Sequence, residues 1–213
     1  MGTPNVIVVA GGGGPAVPWP AGSTVIGADG GVDRALALGL RVDLAIGDFD
    51  SVTPAGLAAA EAAGARVERH PAAKDATDLE LALDAALALE PARIVVIGSD
   101  GGRLDHLLGV LLLLGHERYA SAQIEAYLGD SHLHVVRGTC RLVGTPGDLV
   151  SLVPLQGPCD GVRTEGLEYP LLGETLPGGT TRGISNVFAA GEARVTVEGG
   201  CLLAVQPGAE KPL

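Results

Sequence analysis

The chain has 213 residues, and 46% of them are hydrophobic, which is enough to build a sizeable core and excludes an intrinsically disordered protein. Its formal net charge is −11 and its only lysines are Lys74 and Lys211, so it lacks the basic surface that nucleic-acid or anionic-membrane binding requires. The apolar runs are too short to span a bilayer and the N-terminus lacks a signal peptide, so we expect a cytoplasmic protein.

The first part of the chain alternates short β-branched runs with stretches rich in Ala and Leu. This alternation is typical of βαβ units and predicts a parallel sheet with flanking helices. The predicted strands are residues 5–10, 24–28, 44–46, 66–68, 93–97 and 123–128. We expect helices in most of the intervening segments.

Three helices have recognisable local signals. Thr53 followed by Pro54 predicts an N-cap and first helical position, and Gly64 closes that segment. Thr77 stands three residues before Glu80, which is the spacing of a capping box. Residues 104–114 are apolar nearly all round, so we predict a buried helix there.

From about residue 132 the pattern changes to short alternating runs separated by Gly and Pro, which predicts a small antiparallel β domain. Its predicted strands are residues 132–136, 139–143, 149–154, 161–164, 193–197 and 201–205. Three cysteines, Cys140, Cys159 and Cys201, lack CxxC spacing, so we expect core thiols without disulfides or zinc. The sequence therefore predicts an α/β domain over residues 1–130 and a β domain over residues 131–213.

Acidic, glycine-rich segments follow several of the predicted parallel strands. They are residues 27–31, 47–51, 74–78 and 98–106. Loops at the carboxyl ends of parallel strands line one crevice, where so many carboxylates would repel each other unless a cation such as Mg²⁺ lies between them. Asp48 and Asp50 would point the same way, and could share one ion, if the backbone between them were extended.

Each segment also has a purely structural interpretation. An Asp-Gly pair often marks a turn, and the helix-cap role of Thr77 and Glu80 is sufficient to explain those residues without a ligand. The repetition of acidic loops, one for each βα unit, favours a functional site. Gly101-Gly102-Arg103 could present amides and a guanidinium to phosphate, whereas prolines follow Gly11–Gly14, so that loop does not open a helix as a dinucleotide fingerprint does.

At these segments the chain resembles the thiamine pyrophosphokinases, which transfer a diphosphate group from ATP to thiamine and release AMP. The matching segments are residues 28–31 (Ala-Asp-Gly-Gly), 47–51 (Gly-Asp-Phe-Asp-Ser), 74–80 (Lys-Asp-Ala-Thr-Asp-Leu-Glu), 101–106 (Gly-Gly-Arg-Leu-Asp-His), 166–171 (Gly-Leu-Glu-Tyr-Pro-Leu) and 182–186 (Arg-Gly-Ile-Ser-Asn). They occur in the family's order and cover nearly the whole chain. The resemblance implies an N-terminal α/β catalytic domain for Mg²⁺ and ATP, a C-terminal β-sandwich for thiamine binding and dimerisation, and a homodimer with active sites between the subunits.

The resemblance also implies roles for individual residues. The family's acidic Mg²⁺-ATP site corresponds here to Asp29, Asp48, Asp50 and Asp78. Of these, Asp48, Asp50 and Asp78 are the expected metal ligands. The nucleotide side comprises Ser51, Lys74, Asp75, Thr77, Gly101, Gly102, Arg103, Asp105 and His106, and the thiamine side comprises Tyr169, Arg182, Ser185 and Asn186. Bacterial members often have Glu after the Ser-Asn pair, where this chain has Val187, so the edge of the thiamine site could differ.

The residues leave part of the mechanism open. Asp29 or another carboxylate could orient or deprotonate the thiamine hydroxyl, and Tyr169 or Trp19 could stack on the cationic ligand. An acidic magnesium crevice also suits a metal-dependent phosphohydrolase, and a protein that retained the fold could bind thiamine without catalysis. The Ser185-Asn186 segment favours a transferase over a hydrolase, and the full aspartate set favours an enzyme over a binding protein.

Overall fold

The structure is a computed structural model that describes residues 4–13 and 22–208. Its chain divides into two compact units. The first contains the described residues up to Val110 together with Ser121–Gly129, and the second contains Leu111–Ala120 and the described residues from Asp130 onward. Within the described residues, no helix combines the length and apolar character needed to cross a membrane.

The first unit is built on a parallel sheet with the strand order β4-β3-β2-β1-β5-β6. Its strands are β1 (Asn5–Val9), β2 (Thr24–Ala28), β3 (Leu44–Gly47), β4 (Arg66–Arg69), β5 (Arg93–Gly98) and β6 (Gln123–Leu128). The central residue Val8 is opposite Ile26 on one side and Val96 on the other. Strands β1, β2, β3 and β5 are almost entirely buried apolar runs, whereas the edge strand β4 is charged and not buried, and the predicted parallel sheet is confirmed.

Helices α1 (Gly31–Ala37), α2 (Pro54–Ala62) and α3 (Asp78–Leu87) belong to this unit. Thr53 Oγ1 accepts the Gly56 N–H at 3.0 Å, and Thr77 Oγ1 accepts the Glu80 N–H at 3.2 Å, so both predicted N-caps are confirmed. The Asp33 carboxylate of α1 in turn accepts the Thr53 N–H and hydroxyl, each at 2.7 Å. Side-chain hydrogen bonds thus fix where these helices begin.

Helix α4 (Leu104–Leu114) has the predicted bounds, but the prediction that it is buried is wrong. Leu114 is its only buried residue, whereas Leu104, Leu108 and Leu112 are 70%, 52% and 54% exposed. Their spacing of four residues places them in one stripe along the helix. The apolar composition of α4 indicates a helix that avoids water. It does not identify whether the same chain or a partner covers the helix.

The second unit is antiparallel, as predicted. Its strands are β7 (Ser131–Val136), β8 (Thr139–Val143), β9 (Leu149–Glu165), β10 (Leu172–Leu176), β11 (Asn186–Val187), β12 (Glu192–Thr196) and β13 (Gly199–Gln206). The long strand β9 pairs first with β13 and then with β10 and β12, so it belongs to both sheets of a sandwich. Phe188, Leu152 and Leu202 lie in the core between them.

Two strands of this unit, β10 and β11, were not predicted, and β9 is one strand where the sequence predicted two. The reason is local: Gln156 and Gly157 have φ of 59° and 146°, so the chain bends there without leaving the sheet. Cys159 and Cys201 are buried in this unit and Cys140 packs partly against its core, in accordance with the expected core thiols.

Candidate active site

Three aspartates from separate parts of the sequence meet at the carboxyl edge of the parallel sheet. Asp29 follows β2, Asp48 follows β3, and Asp78 is the first residue of α3. Each offers a carboxylate oxygen, and these oxygens all lie within 4.8 Å of one another. We call Asp29, Asp48 and Asp78 the aspartate cluster.

The backbone around the cluster adopts conformations that most residues avoid. Asp29 and Phe49 have φ of 46° and 63°, in the left-handed region, and Gly47 has φ of 146°. A Cβ on Gly47 would lie 3.0 Å from Asp78 Oδ1 and 3.2 Å from the Asp29 Cβ. The carboxylates therefore approach one another over a position that has no side chain. Such backbone strain is characteristic of functional sites.

Lys74 bridges two members of the cluster. Its Nζ donates a 2.9 Å hydrogen bond to Asp48 Oδ2 and lies 3.1 Å from Asp78 Oδ1. The hydrogen bond to Lys74 lowers the pKa of the Asp48 carboxyl, and the same bond raises the pKa of the Lys74 ammonium against the opposing effect of burial. The carboxylate and the ammonium therefore both stay charged across the physiological pH range.

The cluster has the properties of a divalent-cation site. Asp78 Oδ1 is buried and, among the described residues, has no hydrogen-bond donor with suitable geometry, although the Lys74 ammonium is nearby. The donor set is entirely carboxylate oxygen, which suits Mg²⁺ better than softer metals. Octahedral Mg²⁺ places adjacent ligands about 2.9 Å apart and opposite ligands about 4.2 Å apart, so oxygens within 4.8 Å of one another would have to move closer together to hold one ion.

Asp50 and Ser51 occupy the rim of this site. Asp50 is exposed, and its Oδ1 accepts the Ser51 hydroxyl at 2.7 Å, while the Ser51 N–H approaches Asp29 Oδ1 at 3.3 Å. The left-handed residue Phe49 interrupts the extended backbone on which the shared orientation of Asp48 and Asp50 depended. The role of Asp50 as a metal ligand stays a prediction, as does that of the exposed Asp75 on the nucleotide side.

The loop after β5 carries the predicted phosphate-binding residues. Gly101, Gly102 and Arg103 lie in this loop, Asp105 and His106 lie in the first turn of α4, and all five are exposed. Arg103 makes a two-point ion pair with Asp105, at 3.2 Å from Nε and 2.5 Å from one terminal nitrogen. This pair leaves the second terminal nitrogen of the guanidinium available to a ligand.

The sequence left the role of the loop after β1 open, with a position near the ligand as one possibility, and the described part of this loop lies at the same edge of the sheet. A Cβ on Gly12 would lie 2.5 Å from the Ser99 Cβ, and one on Gly11 would lie 3.9 Å from the Gly30 backbone. The loop therefore lies against those that follow β2 and β5. Its run of glycines was the available signal, because glycine permits such close approach. Gly14 and Trp19, also considered for the site, lie outside the described residues.

The predicted thiamine-side residues lie in the second unit, where the side chain of Asn186 contacts the backbone of Tyr169. Asn186 is buried, and its side chain holds the backbone of Tyr169, a residue that is itself 64% exposed. Ser185 has φ of 56° and is exposed, and its N–H donates to Ser151 Oγ at 3.1 Å. Arg182 is exposed and pairs with Glu174 at 2.5 Å.

Comparison with known proteins identifies the family. The model of the thiamin pyrophosphokinase catalytic domain matches residues 17–128, and that of the thiamin pyrophosphokinase vitamin B1 binding domain matches residues 139–202. Thiamine pyrophosphokinase of Bacillus subtilis (strain 168) is 30% identical over 191 residues, which cover 85% of this chain and 86% of that protein. The chain belongs to the thiamine pyrophosphokinase family.

Solved structures of thiamine pyrophosphokinases agree with this assignment. The crystal structure of the Bacillus subtilis protein has a TM-score of 0.82 and 28% identity, covering 97% of this chain and all of that one. That of the Geobacillus thermodenitrificans protein has a TM-score of 0.79 and 29% identity, covering 98% and 100%. The aspartate cluster falls within the catalytic-domain match, and Tyr169 and Asn186 fall within the match to the B1-binding domain.

Proposed function

We propose that this thiamine pyrophosphokinase family member transfers the diphosphate group of ATP to the hydroxyl of thiamine, giving thiamine diphosphate and AMP. The thiamine oxygen bonds to the β-phosphorus, the bond between the β-phosphorus and the α-phosphate oxygen breaks, and the hydroxyl proton passes to a base. The observation that carries the proposal is the aspartate cluster, within a chain that matches both domains of the family. ATP occurs chiefly inside cells, so we propose a cytoplasmic location.

The residues present fit a magnesium ion. We assign Asp48 and Asp78 as ligands because their oxygens converge and already attract a cation, the Lys74 ammonium. Asp50 completes the proposed set from the exposed rim, where one of its oxygens accepts the Ser51 hydroxyl and the other is available. Bound there, Mg²⁺ would supply positive charge to the phosphate oxygens of ATP.

The remaining residues of the first unit position the reactants and move the proton. Asp29 lies within the cluster and is the proposed group that orients or deprotonates the thiamine hydroxyl. Arg103 and the Gly101-Gly102 amides would hold phosphate oxygens, with Asp105 orienting the guanidinium through the two-point ion pair. We place Ser51, Lys74, Asp75, Thr77 and His106 on the nucleotide side of the same site.

The second unit would recognise thiamine. Tyr169 does not pack into the core, and its exposed ring can stack on the cationic thiazolium, a contact worth roughly 0.5–2 kcal/mol. Arg182 and Ser185 are exposed, and both lie within four residues of Asn186 in the sequence. They would form polar contacts with thiamine. Asn186 is buried with its amide engaged by the Tyr169 backbone, which supports a positioning role for this residue.

A homodimer with active sites at the subunit interface forms part of the proposal. The exposed Leu104, Leu108 and Leu112 stripe on α4 supports it, because water-soluble chains seldom leave such a stripe uncovered. A two-fold dimer would pair the stripe with its own copy. Leu104 directly follows Arg103, so that interface would lie next to the proposed phosphate-binding loop.

Product identification tests the function. The purified chain is incubated with ATP, Mg²⁺ and thiamine, and the products are separated by chromatography with the Asp48→Asn variant as control. We expect AMP and thiamine diphosphate in equal amounts from the wild type alone. Phosphate or ADP formed without thiamine would instead identify a phosphohydrolase, and tight thiamine binding without turnover would identify a binding protein.

A further inference from the structure

Lys74 is a partly buried cation inside the acidic site. Its side chain is 14% exposed and the Asp48 side chain 15% exposed, so this ion pair is largely shielded from water. The Nζ atom lies 2.9 Å from Asp48 and 3.1 Å from Asp78, which are two members of the aspartate cluster. Two carboxylates of the cluster thus share one ammonium group.

Local helix electrostatics do not account for this position. Lys74 precedes α3, which begins at Asp78, and a positive charge near a helix N-terminus opposes the helix dipole. Three converging carboxylates, in contrast, repel one another and require a nearby positive charge. The ammonium therefore occupies its position because of the carboxylates, where it performs the neutralisation that a bound metal ion would perform.

We propose that Lys74 is an internal counter-ion that a divalent cation must displace from the aspartate cluster. It holds Asp48 and Asp78 close together when no metal is bound, and it weakens the binding of free metal by competing for the same oxygens. A metal that arrives on ATP has additional phosphate ligands and overcomes this competition, which releases the ammonium toward the phosphates. The inference rests on the proposed metal site and not on the identity of the acceptor.

Nuclear magnetic resonance can observe the displacement directly, because the chain contains only two lysines. The Lys211→Arg variant leaves Lys74 as the single lysine, and ¹⁵N-lysine labelling then gives one side-chain ammonium signal. We expect a signal protected from solvent exchange in EDTA, which shifts and exchanges faster on titration with Mg²⁺ plus an α,β-methylene analogue of ATP. NaCl at matched ionic strength is the control. A signal that does not respond to bound Mg²⁺ would overturn the proposal.

A variant tests the competition. Lys74→Met removes the ammonium and preserves much of the side-chain volume, so free Mg²⁺ should bind more tightly, with a Kd lowered about tenfold as measured by calorimetry. The variant should also unfold at a lower temperature than wild type in EDTA, and Mg²⁺ should reduce that difference. Arg66→Met is the matched control, since it removes one positive charge from an exposed ion pair of the same unit.

The outcomes separate the inference from the proposed function. Unchanged or weaker Mg²⁺ binding by Lys74→Met would overturn the counter-ion role, even if wild type makes thiamine diphosphate. A responsive Lys74 signal in a protein that makes no thiamine diphosphate would uphold the counter-ion role and reject the transferase. If Lys74→Met fails to fold with or without Mg²⁺, the ammonium signal of the Lys211→Arg protein decides.

Discussion

The amide of Asn186 holds the backbone of Tyr169 at two points. Asn186 Oδ1 accepts the Tyr169 N–H at 3.1 Å, and Asn186 Nδ2 donates to the Tyr169 carbonyl at 2.7 Å. The same Oδ1 also accepts the Val187 N–H at 2.9 Å. Asn186 is only 5% exposed, so its amide is largely shielded from bulk water, and its hydrogen bonds fix the backbone that carries the exposed Tyr169 side chain.

Asn186→Ala is expected to lower the free energy of unfolding by about 1–3 kcal/mol, because it removes the side-chain hydrogen bonds of three partly buried backbone groups. It should also raise the KM for thiamine much more than that for ATP. Denaturant unfolding and steady-state kinetics measure the two effects. Ser185→Ala is the control: its side chain is exposed, so the unfolding free energy should change by less than about 0.5 kcal/mol. Equal increases in both KM values would contradict a thiamine-side role.

Asp48→Asn and Asp78→Asn should each reduce turnover by more than about 100-fold, since they remove charge from converging metal ligands without changing volume. Asp50→Asn, at the exposed rim, should raise the Mg²⁺ concentration needed for half-maximal activity. Initial rates measured against Mg²⁺ at fixed ATP and thiamine separate these effects. Glu61→Gln, an exposed change on α2 in the same unit, is the control. Full activity of Asp48→Asn at limiting Mg²⁺ would rule out the metal assignment.

Much of the first unit could be predicted because its signals are local. Threonines before Pro54 and Asp78 predicted both N-caps, and continuous β-branched runs predicted strands buried on both faces. Loops that end such strands must share one edge of the sheet, so the meeting of Asp29 and Asp48 followed from topology.

Other features depend on contacts between residues far apart in sequence. Lys74 and Asp48 are 26 residues apart, and no local pattern in the sequence predicts the hydrogen bond between them. The segment Gln156-Gly157-Pro158 has the composition of a turn. Strand β9 nevertheless continues through it, because β13 pairs with β9 on both sides of this segment. Composition also cannot distinguish a helix covered by its own chain from one whose leucines stay exposed, as on α4.

Leu108→Glu should convert the proposed dimer into a monomer, because a charge at the centre of the α4 stripe would be costly to bury. Light scattering coupled to size-exclusion chromatography measures the mass in solution. Leu89→Glu is the matched control, since Leu89 is another exposed leucine, 44% accessible, outside the stripe. A wild-type monomer at all concentrations, or a Leu108→Glu dimer of undiminished stability, would contradict the role of the stripe.

The cysteines should differ in reactivity. Burial raises the pKa of the Cys159 and Cys201 thiols above its ordinary value, so their reactive thiolates form only at higher pH than in an exposed cysteine. At about pH 8.5, the ordinary thiol pKa, a thiol-specific chromophoric reagent should modify Cys140 first in the native protein. Raising the pH should increase the thiolate fraction of the other two cysteines, and adding denaturant should expose them to the reagent. Three equally fast thiols in the native state would contradict the buried positions.

Gly47→Ala should weaken metal binding at the site in addition to straining the backbone. Its φ of 146° suits glycine, and the new Cβ would lie 3.0 Å from Asp78 Oδ1 and 3.2 Å from the Asp29 Cβ, so the aspartate cluster must widen. Gly64→Ala is the matched control, because Gly64 has φ of 95° with open space around its Cβ position and should cost only about 1–3 kcal/mol of stability.

Mg²⁺-dependent protection against thermal unfolding distinguishes the two substitutions. Backbone strain lowers the melting temperature with and without the metal by similar amounts, whereas a widened cluster loses the increase that Mg²⁺ with ATP produces. We expect Gly64→Ala to retain that increase and Gly47→Ala to lose most of it. Equal retention in both variants would mean that the close approach of Asp29 and Asp78 over Gly47 is not needed to hold the ion.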